Sequence, residues 1–131
     1  MIQNPLYYDK CFFEMKEMFS LSDEMFFELN DAFFQIASQQ IEMLRVALLQ
    51  KNMQQLILHS HTLKGSSASL RHETISNIAA EMEHHAKEGT LFEYAKTIYE
   101  LSEELAKLGS QYLLWKMMYP QNNLHNMDYV G

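Results

Sequence analysis

The chain has 131 residues with a formal net charge of −7, and 47% of the residues are hydrophobic, which suits one domain with a sizeable core and leaves little room for a second. Its ten Lys and Arg residues form no basic stripe, which argues against nucleic acid, and its single cysteine excludes an internal disulfide and fits a reducing compartment. Since no apolar run approaches the roughly 20 residues of a membrane span, and the N-terminus shows no signal-peptide pattern, we expect a cytoplasmic protein without membrane contact.

Helix breakers are rare in this chain, because it has only four glycines and two prolines and both prolines lie near its ends. Residues 6–19 can form a short amphipathic helix. Apolar side chains then recur at helical spacing over residues 22–50, which predicts a long helix capped by Ser20 or Ser22. Asn52 is a plausible N-cap for the following helix, which is predicted over residues 53–70.

A turn at residues 71–73 leads into the next predicted helix, which ends at Gly89. Thr90 and Glu93 match the capping-box pattern, so the last helix is expected to start there and to run to about Tyr119, before Pro120. These elements predict an all-α fold: an antiparallel four-helix bundle over about residues 20–119, with an extra short N-terminal helix. The polar residues 121–131 are expected to form a loose tail of the same single domain.

The helix predicted over residues 53–70 carries an unusual outward face. At about 100° per residue, three leucines spaced seven residues apart share one side and form a buried seam. His61 points away from that seam. Its face is completed by a cation and two small residues, and two apolar residues flank it from the preceding turn. The seam comprises Leu56, Leu63 and Leu70, and the outward face comprises Ile57, Leu58, His61, Lys64, Gly65 and Ala68.

Each group on this face has a use if His61 accepts a phosphoryl group. A neutral imidazole nitrogen is a nucleophile near neutral pH, and Lys64 can offset the negative charge of the phosphoryl group. A mid-helix Gly costs about 1 kcal/mol relative to Ala, and Gly65 would let a partner approach closely. Ile57 and Leu58 would form an apolar docking rim, although they could instead pack against a neighbouring helix.

The segment His-Thr-Leu-Lys-Gly-Ser-Ser at residues 61–67 resembles the signature of histidine-phosphotransfer (HPt) domains, His-x-Leu-Lys-Gly-Ser/Ala-Ser/Ala. The pair Met82-Glu83 with the downstream Gly89 also resembles the family, and the likeness covers roughly residues 20–118. It implies that His61 is phosphorylated, with Lys64 and Gly65 as supporting neighbours. The partner would be the receiver domain of a response regulator or hybrid kinase, which brings its own magnesium.

The resemblance further implies that this chain holds no metal, cofactor or nucleotide of its own, and a chain of this length has no room for an ATP-binding kinase domain. The sequence departs from the family at Arg71, where a Gly is common, and this departure affects the turn that follows the signature. Arg71 and His72 are expected to add positive charge to the docking rim. We also expect a monomer that binds one partner at a time.

Two other functions remain open from the residues. The chain could be a non-catalytic HPt-like module that docks a receiver or kinase and inhibits it, in which case Arg71 would matter more than His61. A metal or haem bundle is a weaker alternative, because Glu81, His84, His85 and Glu88 have ligand spacing but no second ligand cluster. We interpret His59 as a hydrogen-bonded boundary histidine, and the serines at positions 60 and 67 as sites of close helix packing.

Overall fold

Four long helices make up most of the protein in the computed structural model, which describes the backbone of residues 12 and 14–130 and the side chains of residues 12 and 14–118. The helices are α1 (Asp23–Leu49), α2 (Met53–Ser69), α3 (Glu73–Glu88) and α4 (Tyr94–Val130). Helices α1 and α3 each pack against both α2 and α4. This arrangement confirms the all-α four-helix bundle. A short helical stretch at residues 14–18 precedes it, while residues 6–11 and 13 of the predicted N-terminal helix lie outside the described residues.

The helix starts follow local capping chemistry. Ser22 precedes α1, and its Oγ accepts a hydrogen bond from the Met25 amide at 3.2 Å. Asn52 does the same for α2, since its Oδ1 accepts from the Gln55 amide at 3.1 Å. Gly89 ends α3 in the left-handed conformation, with φ +69°. Of the two serines that the sequence allowed as the cap of α1, the structure uses Ser22. The boundaries at Asn52 and Gly89 were predicted correctly, because each depends on a residue whose own chemistry satisfies free backbone groups.

Both predicted boundaries of the last helix differ from the structure. Helix α4 begins at Tyr94, and Thr90 is used elsewhere: its Oγ1 lies 2.6 Å from His85 Nδ1 at the end of α3. The capping-box prediction was therefore wrong. At the other end, the backbone of α4 continues past Pro120 to Val130, through residues predicted as a loose tail. A proline removes one backbone donor and strains one turn, but the residues after it can remain helical.

The core is built from one side of each helix, together with Phe12 and Met15 from the N-terminal stretch. The helical spacing over residues 22–50 also includes Met25, Leu29 and Ile36 among the apolar positions of α1. These three side chains are exposed, whereas Asn30 and Ala47 are buried. Over the described residues, no helix combines the length and apolar character that a bilayer crossing requires.

The α2 seam determines where the outward face points. Leu56 and Leu63 are fully buried, as predicted, and Leu70 packs at the edge of the core. Ser60 and Ser67 are buried beside them, and the Ser60 hydroxyl donates to the Leu56 carbonyl at 2.7 Å. Small side chains here let the neighbouring helices come close, so the opposite face of α2 is held towards solvent.

Candidate functional site

His61 lies in the middle of α2 with its side chain 63% exposed. Its Nδ1 lies 2.9 Å from Oε2 of Glu83 on α3. A carboxylate only accepts hydrogen bonds, so Nδ1 must carry the proton, and the neutral ring then has its lone pair on Nε2. The contact therefore selects one tautomer and fixes the ring with a nucleophilic nitrogen available to a partner.

Glu83 connects three donors. Its side chain is only 4% exposed, and Lys64 Nζ lies 2.7 Å from Oε1, while Lys87 Nζ lies 2.8 Å from Oε2. Burial alone would raise the pKa of Glu83, but hydrogen bonds from Lys64, Lys87 and His61, together with the charge of Lys64, lower that pKa to about 2. The carboxylate is therefore ionised at neutral pH, with two cations beside it.

The packing of α2 on α3 brings these groups together. Glu83 lies on the inner face of α3, with the buried residues Ala79, Met82 and Ala86 around it in the sequence. Nearby, the Ser76 hydroxyl donates to the Lys64 carbonyl at 3.0 Å, which ties the two helices one turn beyond His61. A carboxylate on an otherwise apolar face thus meets the outward face of α2 from the side.

Gly65 is exposed one turn from His61 on the same face. A Cβ built on it would have no neighbour within 4 Å. Nothing within the described part of the chain therefore requires a glycine at this position. The open space fits the predicted role, in which a partner approaches the helix backbone here.

The variant Gly65→Ala distinguishes what the fold requires at this position from what a partner requires. The variant is expected to be more stable by about 1 kcal/mol, because Ala is the better helix former and meets no clash. If a partner needs the space, phosphoryl transfer to this variant should nevertheless be slower than to the wild type. Urea unfolding and transfer kinetics on the same preparation check both halves. A variant that is more stable and equally fast would remove the close-approach role.

The predicted docking residues comprise three side chains on α2 and the two residues of the turn that follows it. Leu58 is 50% exposed, Ile57 is half-buried and Ala68 is exposed, so a partner could reach these three side chains, and their docking role stays a prediction. Arg71 is exposed as well, and its Nη2 lies 2.8 Å from the Met18 sulfur. Its φ of +66° is the left-handed conformation that usually favours glycine after a helix. Arg71 thus adopts, with a long side chain, the backbone conformation that glycine usually takes at the end of a helix.

His72 does not belong to the docking rim, and this prediction was wrong. Its side chain is buried among aromatic rings, with centroids 4.6 Å from Phe33 and 5.7 Å from Phe12. Burial lowers the pKa of His72 to about 4, so the ring is neutral at pH 7 and adds no positive charge to the surface. The residue follows the αL turn directly, and the turn directs it inwards.

Two other histidines, His59 and His85, contact neighbouring side chains of the fold. His59 lies at the edge of the core, with its Nδ1 2.7 Å from Gln40 Oε1, as predicted for a boundary histidine. His85 stacks on Phe92 with ring centroids 4.4 Å apart. Among the side chains that the structure describes, no group of three His, Cys, Asp or Glu is placed to hold a metal ion.

Two residues of the site were not predicted from the sequence. Glu83 belongs to the Met82-Glu83 likeness, which assigns it no role, and Lys87 lies outside the motifs that resemble the family. A usable signal was present: Glu83 is a charged residue on the apolar side of α3, and Lys87 follows it at i+4, where the two side chains meet.

The comparisons with known proteins agree with this geometry. Residues 28–111, more than half of the chain, match the family described as Hpt domain. The fold is similar to the crystal structure of histidine-containing phosphotransfer protein B (HptB) from Pseudomonas aeruginosa PAO1, with a TM-score of 0.69 and 21% identity over 83% of this chain and 90% of that one. Among proteins with curated functions, none matches this sequence. The family match, together with an exposed histidine on a four-helix bundle, shows that this chain belongs to the Hpt domain family and is a histidine-phosphotransfer protein of two-component phosphorelays.

Proposed function

We propose that Nε2 of His61 accepts the phosphoryl group from the aspartyl phosphate of a receiver domain and passes it on to another receiver. The observation that carries this assignment is the 2.9 Å contact between His61 Nδ1 and the buried Glu83 carboxylate. It holds the proton on Nδ1 and turns the lone pair of Nε2 outwards. Lys64 beside it supplies a positive charge one turn away.

The transfer needs one bond to form and one to break. The Nε2 lone pair attacks phosphorus, the bond between phosphorus and the aspartyl oxygen breaks, and the carboxylate leaves with the electron pair. The ring becomes an N-phosphorylated imidazolium, whose Nδ1–H continues to donate to Glu83. This negative partner stabilises the positive charge that develops on the ring. The reverse step returns the phosphoryl group to an aspartate.

The receiver would dock over the outward face of α2, where Leu58, Ile57 and Ala68 surround His61. Such a face accommodates one partner at a time, which supports a monomeric carrier. The magnesium that assists the reaction would be bound by the receiver, and this chain would need no cofactor and no ATP. We place the reaction in the cytoplasm, where the single cysteine of the chain would stay reduced.

The deciding experiment mixes the purified chain with a radiolabelled phospho-receiver in magnesium buffer. Label should move to the wild type and to His84→Gln, which alters an exposed histidine on α3, but not to His61→Gln. The transferred label should be acid-labile and stable in base, as expected of an N–P bond. Labelling of His61→Gln would exclude this residue as the acceptor. Tight binding of several receivers without any transfer would instead indicate a docking module that inhibits its partner.

A further inference from the structure

Lys87 shares one carboxylate oxygen with the proposed phosphoacceptor. Its Nζ lies 2.8 Å from Glu83 Oε2, the oxygen that accepts from His61 Nδ1. Lys64 holds the other oxygen, Oε1, at 2.7 Å. The two lysines come from different helices, Lys64 from α2 and Lys87 from α3, so they can move independently of each other.

Phosphorylation changes the charges around Glu83. Before transfer, one carboxylate faces two lysines. A phosphoryl group on Nε2 brings nearly two negative charges to the outward face of α2, and Lys64 lies one turn along that same face. The phosphoryl oxygens therefore compete with Oε1 for Lys64. If Lys64 were the only lysine at Glu83, its departure would leave the His61 imidazolium as the single positive partner of a buried carboxylate next to a phosphoryl dianion, which is costly.

We infer that Lys87 is a positioning residue that keeps the Glu83 carboxylate in place and charge-compensated while Lys64 turns to the phosphoryl group. His61 Nδ1–H then retains its acceptor throughout the transfer. This inference rests on the proposed role of His61. Lys87 neither gains nor loses a proton and forms no bond to phosphorus. Its action through Glu83 distinguishes it from an ordinary exposed i,i+4 ion pair, which would affect only helix stability and only slightly.

The test compares Lys87→Gln, Lys87→Arg and, as a matched control, Lys96→Gln, which removes an exposed lysine from α4. With a phospho-receiver, we expect Lys87→Gln to lower the saturated transfer rate about 3- to 10-fold. The receiver concentration at half-saturation should stay within about 2-fold, because docking is intact. Lys87→Arg should restore the rate and Lys96→Gln should match the wild type. A purely structural lysine would not produce this division between rate and half-saturation.

A second readout needs no receiver. Phosphoramidate, a small phosphoryl donor, is used to phosphorylate His61, and the imidazole Nδ1–H signal is followed by nitrogen-15 NMR. The wild type and Lys87→Arg should retain a protected Nδ1–H after phosphorylation, while Lys87→Gln should lose it to exchange. A protected signal in Lys87→Gln, or an unchanged transfer rate in that variant, overturns the inference and leaves the role of His61 intact. If no receiver transfers label to the wild type, the proposed function fails, and the NMR comparison still decides the role of Lys87.

Discussion

Glu83→Ala is expected to slow phosphoryl transfer to His61 by about 10- to 100-fold, less than the loss of a proton-transferring group usually causes, because Glu83 positions the ring and transfers no proton. The variant loses the acceptor at 2.9 Å from His61 Nδ1. The imidazole can then rotate and place its proton on either nitrogen, so that only a fraction of molecules present a lone pair on Nε2. The positive charge formed on the ring during transfer would also have no adjacent carboxylate to stabilise it.

Glu83→Ala should lower stability as well, because it removes a carboxylate that its lysine and histidine partners keep ionised, with a pKa of about 2, but its partners limit this loss. Lys64 and Lys87 are 35% and 54% exposed, so both can turn to water when Glu83 is absent. Glu83→Gln retains a neutral acceptor but no charge, and it should fall between the wild type and Glu83→Ala. Glu81→Ala, which alters an exposed carboxylate two residues earlier on α3, is the control. Rapid-quench transfer kinetics and urea unfolding measure both effects. A Glu83→Ala variant that transfers at the wild-type rate would show that His61 needs no positioning by α3.

The second large effect concerns acid stability and does not involve the phosphoacceptor. Burial lowers the pKa of His72 from 6.5 to about 4. Between these two pH values the unfolded chain binds a proton that the folded chain excludes, so stability falls as the pH falls. This effect lowers the free energy of unfolding by on the order of 3 kcal/mol between about pH 6.5 and about pH 4, and it is absent above about pH 6.5. The cause is the ring's position among Phe12, Phe33 and Phe34.

His72→Phe should flatten this dependence, because no group at that position then titrates. His72 precedes α3 without a side-chain capping hydrogen bond, so the substitution removes no cap. Urea unfolding at several pH values between 4 and 7 measures the slope, and His84→Gln should keep the wild-type slope. Equal slopes in His72→Phe and the wild type would contradict the assignment. Glu83 contributes at lower pH, since its pKa is lowered from 4.5 to about 2, and its share is lost as the pH falls through that window.

Much of the fold was predictable because it depends on residues close together in the chain. The seven-residue spacing of Leu56, Leu63 and Leu70 placed them on the inner side of α2, and the same periodicity placed His61 outside. Ser22, Asn52 and Gly89 fixed helix ends through bonds or backbone conformations within a few residues. The periodicity therefore places the HPt-like residues 61–67 with His61 on the solvent side, as phosphoryl transfer to a partner requires.

The tertiary structure decided what these local patterns could not. Glu83 lies 22 residues from His61 in the sequence, and only the packing of α2 on α3 brings its carboxylate to Nδ1. The same packing made Lys87 part of the site. His72 is buried because the turn before α3 directs its side chain inwards. Thr90 does not cap α4, because its hydroxyl contacts His85 at the end of α3. Periodicity determines which side of a helix faces the core, and capping determines where the helix ends, because both act within one or two turns. Contacts between helices depend on how whole helices dock, and the spacing of residues along one helix carries no information on that docking.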